Sequence, residues 1–283
     1  MQNLLKSIFI AIFPMLALYV FIDSSLHLFQ HGFSFRYLGR LVSALTIVVL
    51  FAGLFIKPQA RTSRNLNIYS SFIILGFITS IVFEGIIENK DIIGSSTSFI
   101  LVLFWITYVA WYSVFEKRDT TVLKVGNKLP IFTLENTNKN KTISEIFLGN
   151  PSIYLFYRGN WCPLCMAQIK EIAAQYKELE KKGVNMILIS PQPHKFSTSL
   201  AKKYNLGFHF LTDIKNKVAK QLGIFSKNGI PAGFQALGYD SDTVLPTVII
   251  TDALGKIVFA DLTDNYRVRP EPETFLKVID ELG

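Results

Sequence analysis

Residues 153–165 read Ile153-Tyr154-Leu155-Phe156-Tyr157-Arg158-Gly159-Asn160-Trp161-Cys162-Pro163-Leu164-Cys165. The first five positions are a continuous apolar run rich in aromatics, which predicts a buried strand. Pro163 predicts the start of a helix, because proline lacks the N–H that goes unpaired in a first turn anyway. From there Ile169, Ile172, Ala173, Tyr176 and Leu179 recur every three or four positions as an inward face, and Gly183 stops the helix. Cys162 and Cys165, the two cysteines of the chain, therefore sit at a strand-to-helix joint.

Working outward, 184–190 predicts a second apolar strand, and 195–204 a helix closed by Gly207. A short strand follows at 208–211 and a helix at 214–222. Residues 248–250 pair with 256–260 across a turn, and a helix over 272–282 closes the domain. The order βαβα then ββα gives an α/β sandwich with a mixed central sheet flanked by helices.

The joint is where a reactive thiol belongs. A helix N-terminus offers free N–H groups and partial positive charge, both of which favour thiolate, and Arg158 adds positive potential. A second thiol one turn on is placed to close a disulfide on a mixed disulfide or a sulfenic acid. Three plainer readings compete. Inert buried cysteines do not require this junction. A zinc site needs four ligands, and only His194 and His209 accompany the cysteines here. A structural disulfide across so few residues stabilises little. Leu245-Pro246-Thr247 reads either as a simple strand start or as a cis-proline beside the disulfide.

The segment Tyr157–Cys165 resembles the active-site segment of peroxiredoxin-like proteins of the alkyl hydroperoxide reductase/thiol-specific antioxidant group, of thioredoxin fold. Residues 125–134 look like the group's opening strand, 189–192 like its second core strand and loop, Leu245-Pro246-Thr247 like the cis-proline, and 266–273 like its closing segment. The likeness spans about residues 122–283. It implies Cys162 as the exposed nucleophile and Cys165 as the resolving thiol, with Trp161, Pro163, Pro246 and Arg158 at the rim. Typical members carry Pro and Thr or Ser at the positions occupied here by Leu155 and Gly159, so the hydroxyl that helps hold a peroxide is missing. Trp161 before Cys162 follows the thioredoxin pattern instead. Phe156 stands where thioredoxins place a buried acid.

Residues 1–119 hold only 9 of the 29 Lys/Arg and 6 of the 21 Asp/Glu, in a chain that is 50% hydrophobic. Charge-free runs at 7–22, 41–56, 65–83 and 92–115 approach the roughly 20 residues that span a bilayer. Lys6 and Arg40 extend the two shorter runs by snorkelling. This predicts four transmembrane helices at about 4–22, 37–56, 66–87 and 95–115 in a region 1–116, a linker at 117–124 and the thioredoxin-like domain at 125–283. Residues 20–23 are bulky, which argues against a cleaved signal peptide. Lys6, Lys57, Arg61, Arg64, Lys117 and Arg118 against Arg36, Arg40 and Lys90 favour an internal N-terminus. The expectation is an integral protein of a bacterial cell membrane with its α/β domain in the cytoplasm. Mid-span charges are missing and Glu84 lies near a helix end, so the bundle reads as an anchor. His27 and His31 read as polar residues of an outer loop rather than metal ligands.

The composition excludes disorder, collagen and a disulfide-rich scaffold. The net charge of +8 comes from scattered lysines and carries no nucleic-acid motif. The expected activity is that of a membrane-anchored thiol-disulfide oxidoreductase that reduces disulfides or peroxides. It needs no metal or organic cofactor. Its partners are a lipid bilayer and a thiol donor such as a thioredoxin or a low-molecular-weight thiol, and no nucleic acid. The alternatives are a redox sensor whose disulfide alters packing, and a transport or quinone-linked protein with a regulatory thiol domain.

Overall fold

A computed structural model describes residues 1–83, 96–116 and 118–282. The expectations for Glu84, Lys90, Lys117 and the end of the third span lie outside them. The chain divides into two compact units. One comprises Ile8–Pro58 and Thr62–Val114, the other Met1–Ser7, Gln59–Arg61 and Phe115–Gly283.

The helical unit uses α1 (Gln2–His31) from Ile8 onward, α2 (Phe35–Ile56), α3 (Asn67–Phe83) and α4 (Ser96–Ile106), which continues as a π-helical turn at Thr107–Tyr112. α1 runs through Pro14 and well past the expected end at 22, so His27 and His31 lie on its last turns and not in a loop. Their rings are 4.6 Å apart, and His27 stacks on Tyr37 at 3.5 Å. Phe13, Ile47, Ile73, Leu101 and Tyr108 are buried in the unit's core. α2 and α3 approach so closely that a Cβ on Gly39 would sit 2.3 Å from the Gly76 carbonyl oxygen, and one on Gly76 would sit 2.4 Å from Ser43 Oγ. Small residues let two backbones meet in this way, and Ser43 Oγ donates to the Ile73 carbonyl at 3.0 Å across the contact. Gln2–His31 and Phe35–Ile56 are long and apolar enough to cross a membrane; Asn67–Val82 and Ser96–Tyr112 are apolar but shorter.

The second unit holds a seven-stranded sheet in the order β2-β1-β5-β4-β3-β8-β9. Its strands are β1 (Thr133–Glu135), β2 (Lys141–Ile143), β3 (Ser152–Phe156), β4 (Asn185–Ser190), β5 (His209–Thr212), β8 (Thr247–Thr251) and β9 (Ile257–Asp261). β6 (Phe225–Ser226) and β7 (Thr243–Val244) form a separate pair. The helices are α5 (Pro163–Ala174), α6 (Tyr176–Lys181), α7 (His194–Tyr204), α8 (Lys217–Gln221) and α9 (Pro272–Asp280). β3, β4 and β5 run parallel and the other pairs antiparallel, so the expected mixed sheet is present, in a thioredoxin-like arrangement. β3 is central and buried at every position, as its unbroken apolar run requires.

Three local differences have physical causes. The helix expected at 214–222 begins as a tight turn with Lys215 and Asn216 at φ +58 and +54, and only Lys217–Gln221 is α-helical. The Asp213 carboxylate accepts from the Val218 and Ala219 N–H groups at 2.9 and 2.8 Å and so fixes the later start. In the stretch expected as the opening strand, only Thr133–Glu135 pairs, with β2 and β5; Lys128 makes an isolated bridge to Lys256. The segment read as a linker contributes Leu123, 1% exposed, to the core of the α/β unit.

Candidate active site

Register places the site. Phe156 at the end of β3 lies opposite Thr247 of β8 and beside Ile189 of β4. Pro246 and the Ser190–Gln192 turn therefore flank the chain as it leaves the central strand. Tyr157 stays in the sheet, its N–H donating to the Ile189 carbonyl at 2.9 Å. The chain then turns through Gly159, at φ +149, and reaches Cys162, the N-cap of α5, with Pro163 as first helical residue. The Cys162 N–H donates to the Gly159 carbonyl at 3.2 Å, and its own carbonyl accepts the Met166 N–H at 3.1 Å.

The structure brings Cys162 and Cys165 together, Sγ to Sγ 2.8 Å, within hydrogen-bond reach. It does not leave Cys162 exposed: the two residues are 2% and 0% accessible. The expectation of an exposed nucleophile is corrected, because the helix begins at the end of the sheet's central strand. The expected distribution of charge is corrected as well. Burial pushes the Cys162 thiol well above its ordinary value, and the neighbouring Cys165 sulfur adds to that; the cationic Arg269 and Arg158 only oppose it. Burial also works against charge on Cys165. It is overcome by the hydrogen bond from Cys162, by the Arg269 guanidinium and by the Arg158 backbone N–H, so Cys165 falls well below an ordinary thiol. Both shifts favour negative charge on the inner sulfur, Cys165, over Cys162.

Arg269 is a charged residue of the candidate site that the sequence reading missed. It lies 104 positions from Cys165, and its Nη2 donates to that sulfur at 3.5 Å. Nη1 donates to Gln168 Oε1 at 2.8 Å and Nε to the Tyr266 carbonyl at 3.2 Å. The 266–273 segment resembles the family's closing segment, but Arg267 and Arg269 are both buried and nothing in the local pattern says which of them reaches the sulfur. Gln192 was also missed. It is 2% exposed, accepts the Asn160 N–H at 2.8 Å and donates to Tyr157 Oη at 3.0 Å, so it holds the loop before the cysteines.

The rim residues divide. Trp161 is half-buried, with the Arg158 guanidinium 4.7 Å from its ring centre and Phe234 at 5.4 Å on a tilt. Arg158 spends its side chain on that ring and on the Gly229 carbonyl, and reaches Cys165 through its backbone. Tyr239 hydrogen-bonds Asn160 and stacks on Phe196 at 4.7 Å, extending an aromatic rim. Pro246 lines a crevice with Gln168 and Arg269 that is too narrow for water. The peptide bond before Pro246 is trans, which overturns the cis-proline reading; what remains is a proline at the start of a strand. His194 and His209 are not near each other's partners: His194 Nε2 pairs with Glu135 Oε2 at 2.8 Å, and the His209 ring packs on Phe147 at 4.9 Å. Among the described residues no group of three or more His, Cys, Asp or Glu is placed to hold a metal.

Comparison with known proteins points to one family. The sequence profile described as the AhpC/TSA family matches residues 125–260. A chloroplastic peroxiredoxin Q of Gentiana triflora is 34% identical over 122 residues, 42% of this chain and 52% of its own. A Coxiella burnetii protein named as a peroxiredoxin of the bcp type is 32% identical over 102 residues, 36% of this chain and 68% of its own. The thiol-disulfide oxidoreductase ResA of Bacillus subtilis is 26% identical over 140 residues, 49% of this chain and 75% of its own. The chain spans about half the length of the peroxiredoxin Q relatives it matches.

Proposed function

The chain belongs to the AhpC/TSA family, and on that premise we propose that it is a membrane-anchored thiol oxidoreductase working through Cys162 and Cys165. The observation that carries the reading is the 2.8 Å approach of the two sulfurs at the head of α5.

In this mechanism the pair holds one proton, which moves between the sulfurs. When it passes from Cys162 to Cys165, Cys162 becomes the attacking thiolate. On a disulfide it forms a mixed disulfide and expels one thiolate. On a peroxide it takes the distal oxygen to give a sulfenic acid and expels an alkoxide or hydroxide, which is protonated. Cys165 then attacks the Cys162 sulfur, closes the Cys162–Cys165 disulfide and releases the second thiolate or water. Two electrons leave the protein, and a thiol donor returns them. Gly159 and Leu155 favour disulfides over peroxides, because the hydroxyl that would orient a peroxide is missing.

Four apolar helices form the anchor in this reading, with the α/β domain on the cytoplasmic side as the lysine and arginine distribution favours. The length and apolarity of Gln2–His31 and Phe35–Ile56 support it. A reporter fused at the C-terminus tests the sidedness; protection from an external protease is expected, and cleavage without permeabilisation refutes it.

For the activity, reduced full-length protein in detergent is mixed with glutathione disulfide or with hydrogen peroxide. Loss of two hydrogens by mass is expected, and trapping of a mixed disulfide in Cys165→Ser. Failure of both oxidants to join Cys162 to Cys165 removes the enzyme. The burial of both sulfurs favours a second reading, a redox sensor of low turnover. Stoichiometric disulfide formation without multiple turnovers in the presence of excess thiol selects it.

A further inference from the structure

Arg269 is a buried cation that the exchange steps above leave without a task. Of its three nitrogens, two donate to Gln168 and the Tyr266 carbonyl, and the third faces the Cys165 sulfur. Among the described residues no carboxylate oxygen comes within 4 Å of its guanidinium. Asp261 on β9 acts on it only as the weakest of its partners, and Asp261 is itself close to Arg118. Among the described residues, the other ionisable groups acting on the pair are Tyr157, which continues β3, and Arg158, on the loop that leads into α5. A guanidinium removed from water needs an anion, and the dithiol is the anion within reach.

We propose that Arg269 is the counter-ion of one negative charge shared by Cys162 and Cys165, and that it biases the couple toward the reduced form. The inference rests on the dithiol reading above and narrows it. In the reduced state the guanidinium faces a thiolate. Oxidation forms the S–S bond, breaks the remaining S–H bond and removes two electrons and one proton. The negative charge disappears and Arg269 is left buried beside a neutral disulfide. Stabilising the reduced form in this way makes the disulfide a stronger oxidant.

Two consequences follow for substrates. The dithiol passes electrons only to acceptors more oxidising than itself, which are peroxides and strained or exposed disulfides. Recycling is correspondingly easy: two monothiols reduce the disulfide to a dithiol carrying one proton, form their own disulfide and release the second proton. A low-molecular-weight thiol is then sufficient as donor.

The test is the equilibrium of the full-length protein in detergent with reduced and oxidised glutathione at fixed pH, read by alkylation and mass. Arg269→Gln is expected to shift the equilibrium toward the disulfide at least tenfold, about 30 mV for this two-electron couple. Arg269→Lys, which keeps the charge, is expected to stay near the wild type. An unshifted midpoint in folded Arg269→Gln overturns the proposal. If that variant does not fold, the wild type decides: the reduced form is expected to resist urea at least as well as the oxidised form, and a clearly more resistant oxidised form overturns it. A protein that forms no Cys162–Cys165 disulfide in any buffer defeats the dithiol reading itself, an outcome distinct from an unshifted midpoint.

Discussion

Gly159 and Trp161 are fitted so closely that a Cβ on the glycine would lie 2.7 Å from the indole Nε1 and 2.8 Å from Cδ1. The glycine also sits at φ +149, where side chains are strained. The missing hydroxyl and the tryptophan are thus one structural choice: the ring occupies the space a threonine would need.

Gly159→Thr is therefore expected to destabilise the α/β unit by about 1–3 kcal/mol through backbone strain and overpacking. It is not expected to raise reactivity toward peroxide. Urea unfolding and stopped-flow peroxide consumption check the two parts. A stable variant with faster peroxide reduction shows that the hydroxyl can be accommodated and restores the peroxide reading.

The pH dependence follows from the opposed shifts within the dithiol. Cys165 is lowered in the folded state, against burial, by its hydrogen bond with Cys162 and by Arg269; Cys162 is raised, chiefly by burial. Between the lowered value of native Cys165 and the thiol's ordinary value of 9.0 the unfolded chain binds more protons than the native pair, so stability rises with pH through that window. Above it the unfolded chain has lost both protons while native Cys162 keeps its own, so stability falls. Reduced protein is expected to show a maximum near that value that the oxidised protein lacks. Cys165→Ser is expected to lose the rising limb. Urea midpoints across a pH series measure both, and a flat difference between the redox forms defeats the shared-charge account.

Much of the fold was legible because the burial pattern is written into periodicity. Ile153–Phe156 and Val248–Ile250 are unbroken apolar runs, and each became a strand of the sheet's middle. The site was legible only where its parts are local: Cys162, Pro163 and Cys165 lie on one turn. Arg269 and Gln192 reach the site through tertiary packing, and their neighbours in sequence carry no sign of it. The cis-proline reading failed because X-Pro geometry depends on what the fold imposes on that bond, not on the dipeptide. The helix at 214–222 was shortened by a cap, since the Asp213 side chain binds N–H groups five and six positions on.

Gln192 makes a separate prediction about the loop. Its amide satisfies the Asn160 N–H and Tyr157 Oη while nearly enclosed. Gln192→Ala leaves buried polar groups unpaired, which costs about 1–3 kcal/mol. The loss loosens the segment that presents Cys162, so alkylation of the reduced protein by iodoacetamide at neutral pH is expected to accelerate several-fold. A destabilised variant with an unchanged alkylation rate would mean that the loop does not limit access to the sulfur.

The helical unit offers a test independent of the thiols. Gly76 faces Ser43 Oγ at 2.4 Å and the Gly39 carbonyl at 2.5 Å from its would-be Cβ, so neither side of the α2–α3 contact has room. Ser43 Oγ also bonds the Ile73 carbonyl there, and that bond lengthens if the helices separate. Gly76→Leu is expected to force the helices apart and cost more than the 1–3 kcal/mol typical of overpacking, because backbone rather than flexible side chains must yield. Gly53, whose Cβ would meet nothing within 4 Å, supplies the control on α2. Thermal unfolding in detergent is expected to fall for Gly76→Leu and to hold for Gly53→Ala. Equal behaviour of the two variants would refute the close contact, and thiol reactivity at Cys162 reports in the same samples whether the α/β unit remains folded.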